Sequence, residues 1–252
     1  MMFSEKTTEQ RGNPQEKLAN ILTFAGQLIR GSECSCGGGA VYTLVKVLAD
    51  KISLDYGNAV IAAGAHWMDI QKRDNLFLDI NSENAGDARI NAVYRQIRKG
   101  LLNDVSVDID LSKDPVIPLV SSPLGLVNKF IHIGTEERPW REDHNHCVDL
   151  WVPLGVSIVN EGNHSIFTGG IKRTGILKIA PGSNHMVYDI SGLYNMIFFD
   201  GIYYKWMETS DIIAKAANFE FGCIFEIGRL MHNLGVHFKG VGVDNTKKEV
   251  CQ

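Results

Sequence analysis

The sequence has no long apolar run and few cysteines. No uninterrupted apolar stretch approaches the roughly 20 residues that span a bilayer, and the N-terminus lacks the apolar core of a secretory signal peptide. We therefore expect a cytoplasmic protein with no membrane partner. The five cysteines, an odd number at irregular spacing, fit reduced thiols better than the disulfide framework of a secreted protein.

A strong excess of either charge is also missing. The chain has 25 Lys and Arg against 29 Asp and Glu, for a formal net charge of -4. This mild acidic balance argues against a general nucleic-acid coat, because non-specific affinity for phosphates comes from many basic side chains. A local basic site remains open. Hydrophobic residues make up 44% of the 252 residues, so the chain can bury a sizeable core without disulfides.

Apolar spacing divides the chain into a helical first part and a mixed β second part. Residues 1–103 show helical periodicity over about residues 15–30, 41–54, 59–70 and 87–102. Residues 104–252 begin with short β-branched and aromatic runs, KFIHIG among them, which predict strands.

A helical pattern over residues 210–234 closes the chain, and within it Glu226 and Arg229 are expected to form a surface pair. No segment between the two parts resembles an interdomain linker. We predict one compact α+β unit, in which the N-terminal helices and the C-terminal helix pack on a mixed sheet.

The strongest functional signal is a turn between a predicted strand and a predicted helix, in VPLGVSIVNEGNHSIFTGGIKRTGILK. The first N–H groups of a helix have no intrahelical partner, and together with the helix dipole they favour phosphate. Gly162 would let a ligand approach the backbone closely, and Asn163 would cap the helix. His164 and Ser165 would project toward the phosphoryl group. The sequence therefore predicts a phosphate-binding turn at these four residues.

The order of strand, Gly-x-His-x turn, helix and strand resembles the phosphate-binding core of the ParB and sulfiredoxin superfamily. Pro153 and Val156 match the Pro-x-x-Val of that superfamily's strand, and residues 162–165 occupy its turn. The resemblance implies a ParB/sulfiredoxin-like sheet and a turn that binds the phosphate of a nucleotide. The wider stretch, GNHSI followed by VYDISGLYNMIFFDGIYY, is similar to an uncharacterised bacterial family of unknown function and implies no activity.

The turn departs from the superfamily pattern at one position. Ser165 stands where the superfamily has an arginine, which removes the bidentate fork that a guanidinium offers to phosphate. Lys172 and Arg173, further along the chain, are the basic residues that could replace it. The structural alternative for the whole turn is a helix cap with a histidine beside it.

A second constellation lies in REDHNHC, after Pro139 and Trp140. His144 and His146 would lie on one face of a strand, next to Cys147 and preceded by Asp143. Imidazole and thiolate suit zinc, but a full site needs further ligands and no spacing supplies them, so we expect no metal. Either histidine could instead act as a general base, because an unperturbed imidazole titrates near neutral pH.

These features predict a bacterial cytoplasmic protein that binds a nucleotide or nucleic-acid phosphate at residues 162–165. The chemistry would be phosphoryl transfer or phosphodiester cleavage, with His164 as acid, base or phosphate ligand. Asp143, His144 or His146 would assist, and a nucleotide with Mg²⁺ would be the cofactor. An effector of a toxin or phage-defence system would suit such a chain. The alternative is a non-catalytic regulatory or assembly module, with a protein partner or a second copy of the chain.

Overall fold

The computed structural model describes residues 12–31, 39–70, 76–79 and 86–241. The α-helices of these residues are α1 Pro14–Gly31, α2 Gly39–Ala63, α3 Ala88–Lys99, α4 Pro123–His132, α5 Asn163–Ile171 and α6 Phe219–Asn233. The strands are β1 Leu101–Leu102, β2 Val107–Asp110, β3 Val116–Ile117, β4 Cys147–Val152, β5 Val156–Glu161, β6 Ile176–Ile179, β7 Met186–Asp189, β8 Ile197–Phe199, β9 Tyr203–Trp206 and β10 Ile212–Lys215. Short 3-10 helices occupy Gly64–Asp69, Ser191–Asn195 and Phe238–Gly240. Among the described helices, none is long and apolar enough to cross a membrane.

The sheet that positions the candidate site has five strands in the order β1-β7-β4-β5-β3. Strand β4 runs antiparallel to β5 and parallel to β7, and β3 runs parallel to β5, so the sheet is mixed. Helix α4 follows β3, and α5 follows β5. Because β3 and β5 are parallel, their carboxyl ends share one edge of the sheet. Helices α4 and α5 therefore begin at that edge, where α/β sheets commonly bind ligands.

The predicted α+β class with a mixed sheet is confirmed. One core lies among α1, α2, α3, α6 and the sheet of β8, β9 and β10, and it draws on both halves of the chain. A second core lies between the five-stranded sheet, the β2–β6 pair and α5. Helix α6 is the most enclosed helix of the described chain, with residues 221–228 all buried. Apart from Glu226, these eight residues are apolar or glycine, as a segment buried on every side requires.

The predicted strand at KFIHIG is wrong, because its first four residues, 129–132, form the last turn of α4 and Ile133 is the C-cap. Ser122 caps the helix, and its Oγ accepts a hydrogen bond from the N–H of Gly125 at 3.1 Å. Pro123 occupies the first turn. Both residues are strong signals for a helix start. The β-branched and aromatic residues that suggested a strand lie largely on the exposed side of the helix, while Leu126 is buried.

Two further helix predictions differ in extent. The separate helices expected over residues 41–54 and 59–70 form the single helix α2, which continues as the 3-10 helix Gly64–Asp69. Residue Gly57, inside α2, faces the ring of Phe167, and a Cβ there would lie 2.8 Å from that ring. Near the C-terminus, residues 212–215 form β10, and α6 begins only after the cap at Asn218.

The pair Glu226 and Arg229, expected on the surface, lies in the core. Glu226 is 8% exposed, and its carboxylate accepts hydrogen bonds from the N–H of Phe199 and the Nε of Arg229, each at 2.7 Å. The guanidinium also donates to the carbonyl oxygens of Tyr194 and Ile197. The prediction failed because periodicity does not show that β8 covers this face of α6. Each charge is compensated, which a buried ion pair requires.

Candidate functional site

The four-residue turn lies at a strand-to-helix junction, as predicted. Gly162 is the N-cap of α5 and has a φ of 81°, in the left-handed region that favours glycine. A Cβ at Gly162 would lie 2.5 Å from Cδ2 of His146, so the close approach also requires glycine. The first hydrogen bond of α5 runs from the N–H of Ile166 to the Gly162 carbonyl at 3.0 Å. The three preceding N–H groups have no acceptor within the helix. Pro153 lies in the turn before β5 rather than in the strand, which begins at Val156.

Asn163 does not cap α5, contrary to the prediction. It is the first residue of the helix, and its Oδ1 accepts a hydrogen bond from the N–H of Leu119 at 2.6 Å. Leu119 lies just beyond β3. The Asn163 amide therefore ties together the ends of two parallel strands and helps to fix the separation between the first turns of α4 and α5.

His164 lies between these two helix N-termini. Its Nε2 is 3.2 Å from both the backbone nitrogen and the carbonyl oxygen of Ser122, and 3.5 Å from Ser122 Oγ. Nε2 can therefore accept from this N–H in one tautomer or donate to this carbonyl in the other. Burial lowers the pKa of His164, the hydrogen bond to the Ser122 backbone offsets this in part, and the nearby charge of Lys129 lowers it further. The imidazole is therefore neutral at neutral pH.

Ser165 and His146 form a hydrogen-bonded chain beneath the turn. The N–H of Asp143 donates to Nδ1 of His146 at 2.8 Å, and Nε2 of His146 lies 2.7 Å from Ser165 Oγ. Because Nδ1 accepts, the ring proton lies on Nε2 and is donated to Ser165. The Ser165 hydroxyl in turn donates to the Gly162 carbonyl at 3.0 Å. Trp140 packs against the imidazole, with ring centroids 5.0 Å apart.

These hydrogen bonds fix the conformation of the turn. They do not present a reactive side chain to solvent. Ser165 is 7% exposed and His146 is 3% exposed. The serine side chain is therefore turned inward, whereas the sequence predicted that it projects toward a phosphoryl group. Burial also lowers the pKa of His146. His144 is exposed, and it lies with His146 in the loop before β4, not on one strand face. The structure nevertheless brings the two predicted constellations together, since the loop that contains His146 packs against Gly162.

Lys172 and Arg173 lie at the opposite end of α5 from the turn. A nine-residue helix separates its ends by about 13 Å. The Nζ of Lys172 donates to the carbonyl oxygens of Phe130 and Ile133, at 2.7 and 2.6 Å, and so satisfies the C-terminus of α4. These two residues cannot replace the missing arginine at the turn.

The basic residue that the structure adds to the site is Lys129, which the sequence interpretation missed. Its charge contributes to the lowered pKa of both His146 and His164. Lys129 lies four residues after Gly125, one turn further along α4. The Ser122-Pro123 start signal would have revealed this helix and, with it, the position of Lys129.

The cysteine and the acidic residues near the turn do not assemble a metal centre. Cys147 donates its thiol hydrogen to the carbonyl of Asn184 at 2.9 Å, and burial raises the pKa of the thiol. Asp143 accepts a hydrogen bond from the N–H of Asn145, which is the main cause of its lowered pKa. Within the described parts of the chain, no three His, Cys, Asp or Glu side chains are grouped so as to hold a metal ion.

Comparison with known proteins identifies a family but no characterised relative. Residues 3–238 match the model of a Family of unknown function, DUF6710. No curated protein and no solved structure matches the chain.

Proposed function

The chain belongs to the DUF6710 family, whose function is unknown, and we therefore propose a function from the site itself: it binds the phosphate of a nucleotide or nucleic acid where α4 and α5 begin. The observation that carries this proposal is the meeting of two helix N-termini around His164. The first turn of α5 contributes N–H groups with no acceptor within the helix, and both N-termini contribute the positive end of a dipole. A ParB/sulfiredoxin-like identity of the strand, turn and helix is part of the same proposal.

The proposal gives each residue a distinct role. Backbone N–H groups of the first turn of α5 would contact the phosphate, because they have no acceptor within the helix. Since Nε2 of His164 faces Ser122, Nδ1 is the ring nitrogen that would face the ligand, and it would donate to the phosphate when the ring is protonated. Lys129 would supply positive charge near the ring. A bound phosphate would raise the pKa of His164, because a nearby negative charge favours the protonated imidazole.

Chemistry at the bound phosphate would rest on His164. In phosphoryl transfer or phosphodiester cleavage it would act as general acid or base, and the contact of Nε2 with Ser122 would orient it. Asp143 would be ionised, as its lowered pKa indicates, and could contact the Mg²⁺ of a nucleotide. His144, exposed on the same loop, would assist. A role as a bacterial cytoplasmic toxin or phage-defence effector would be consistent with such an activity.

One observation favours the second candidate, a regulatory or assembly module that binds phosphate without turnover. Ser165 and both ring nitrogens of His146 are already engaged by protein partners. A nucleophilic serine needs a base that accepts its proton, whereas His146 donates its proton to this serine. The pair is therefore suited to fixing the turn and not to attack on a substrate.

The test is a titration of the wild type, His164→Ala and the control His144→Ala with ATP, CTP, GTP and short single-stranded DNA, with and without Mg²⁺. We expect His164→Ala to weaken binding by about 1 to 3 kcal/mol, or roughly 5- to 150-fold in Kd. The exposed His144 should matter little for affinity. Equal affinities for all three proteins, or binding by none, would exclude the phosphate site. Binding without any product over hours would favour the regulatory module over the enzyme.

A further inference from the structure

A groove between α2 and α5 is lined by apolar side chains. It encloses a cavity of about 80 Å³, and its apolar lining includes Leu54, Leu111, Val116, Ile166, Phe167 and Ile171. The polar groups at its rim are already paired. Lys46 donates to Asp50 at 3.1 Å and to the Asp114 carbonyl at 3.3 Å, and Ser53 donates to the backbone within α2. A group that binds in this groove would therefore be apolar.

An apolar stripe lies on α4, which packs against α5, one of the two helices that border the groove. Leu124, Val127 and Ile131 are 79%, 52% and 60% exposed, and their spacing of three and four residues places them on one side of the helix. Phe130 connects this stripe to the groove. Its ring stacks on that of Phe167, which lines the groove, with centroids 6.3 Å apart and planes 21° apart.

We propose that this face is the interface of a homodimer, in which the α4 stripe of each copy packs into the α2–α5 groove of the other. A twofold axis brings the same surface of two copies together, so that surface must be complementary to itself. Here one copy carries both a protruding apolar element and an apolar recess. The small net charge of -4 opposes self-association only weakly. This inference goes beyond the phosphate site and does not depend on it.

The exposed apolar area matches what a stable dimer needs. The fractional exposures of the six side chains on this face add up to about three whole side chains per copy, on the order of 450 Å² at about 150 Å² each. These residues are Leu54 39%, Leu124 79%, Val127 52%, Phe130 38%, Ile131 60% and Ile171 50%. A specific interface covers about 800 Å² per partner, of which a little over half is apolar. The stripe and the groove thus supply the apolar share of such an interface.

The experiment measures molar mass over a concentration series, by light scattering and sedimentation equilibrium. Leu124→Glu alters the stripe, Ile171→Glu alters the groove, and Phe24→Glu, at a 50% exposed position of α1, is the matched control. We expect a dimer for the wild type and the control. Each interface variant should weaken dimerisation by roughly a hundredfold or more, because a carboxylate would be buried without a partner. Circular dichroism and thermal melting establish that all four proteins are folded.

A mixture of the two interface variants tests the pairing itself. In a mixed dimer the altered stripe of one copy meets the altered groove of the other, so that contact is lost. The second contact joins an unaltered stripe to an unaltered groove and stays intact. Leu124→Glu and Ile171→Glu should therefore form a dimer together at concentrations where each alone is a monomer. A monomeric wild type at several hundred micromolar would overturn the proposal. So would dimers that survive either change, a control weakened as much as the variants, or a mixture that stays monomeric.

Discussion

Replacing His146 by glutamine should reduce the loss of stability that the protein suffers in acid. His146 is 3% exposed, and in its neutral form Nδ1 accepts the N–H of Asp143. A protonated ring carries hydrogen on both nitrogens, so Nδ1 could no longer accept the N–H of Asp143. It would instead have to donate to the Asp143 carboxylate, which is 3.3 Å away. Burial lowers the pKa of His146, and the charges of Asp143 and Glu142 offset this only in part. Folding therefore favours the neutral imidazole.

The direction of the pH effect follows from this lowered pKa. The unfolded histidine has a pKa of about 6.5, above the folded value, so between the two values the unfolded state binds more protons. The stabilisation is fully present above about pH 6.5 and is lost as the pH falls toward the folded pKa. One such histidine changes the unfolding free energy by at most about 1.4 kcal/mol per pH unit. His164, whose pKa is also lowered, adds a change of the same sign.

The assay is urea unfolding followed by tryptophan fluorescence, at intervals from about pH 8 to pH 5. Trp140 stacks on His146 and reports on this region. His146→Gln should be less stable than the wild type near pH 8 by about 1 to 3 kcal/mol, because it loses ring packing and hydrogen-bond geometry. Its free energy of unfolding should then decline less steeply toward pH 5 than that of the wild type.

His144→Gln is the matched control, since His144 is exposed and only two residues away. It should leave both the stability and its pH dependence close to those of the wild type. The reasoning would be refuted if His146→Gln and the wild type lost the same free energy between pH 7.5 and pH 5.5. It would also be refuted if the control flattened the pH dependence as much as His146→Gln.

Three further predictions concern the junction and the core. Gly162→Ala should cost about 2 to 4 kcal/mol of stability, measured by urea unfolding, because the residue has a positive φ and its Cβ would overlap His146; an unchanged midpoint would contradict the geometry. Arg229→Met should cost about 3 to 5 kcal/mol by leaving Glu226 buried and unpaired, and a loss below 1 kcal/mol would place this pair in a more hydrated setting. Lys129→Ala should raise the pKa of His164 in an NMR titration and weaken phosphate binding, and an unmoved pKa would remove Lys129 from the site.

The sequence predicted well those features that are set by neighbouring residues. The helical periodicity over residues 15–30 corresponds to α1, and that over 87–102 corresponds to α3 as far as Lys99, after which Leu101–Leu102 form β1. Asp87 caps α3 through its side chain. The dipeptide Asp200-Gly201, which is a common hairpin-turn sequence, lies between β8 and β9. The junction at Gly162 was also predictable, because an apolar strand, a glycine and a helix follow one another along the chain. In each case the decisive interactions span only a few residues.

Helix α4 shows where local patterns were insufficient. Its β-branched and aromatic residues favour a strand by propensity, but β-propensity largely reflects packing against neighbouring strands. The structure gives this segment no strand partner, and the cap at Ser122 begins a helix instead. For the same reason Glu226 and Arg229 were placed on the surface, since the sequence pattern of α6 does not show what covers the helix.

The sequence by itself determined that residue 162 forms a turn between a strand and a helix, because glycine alone adopts that backbone conformation at little cost. Only the tertiary structure decided which side chains surround the turn. The bonds from Ser165 to His146 and from Asn163 to Leu119 span 19 and 44 residues. Such pairs depend on which strands become neighbours and in which register, and the core as a whole sets that arrangement. Residues equally polar in the sequence therefore became a buried support, as Ser165 did, a link between strands, as Asn163 did, or a ring between two helix N-termini, as His164 did.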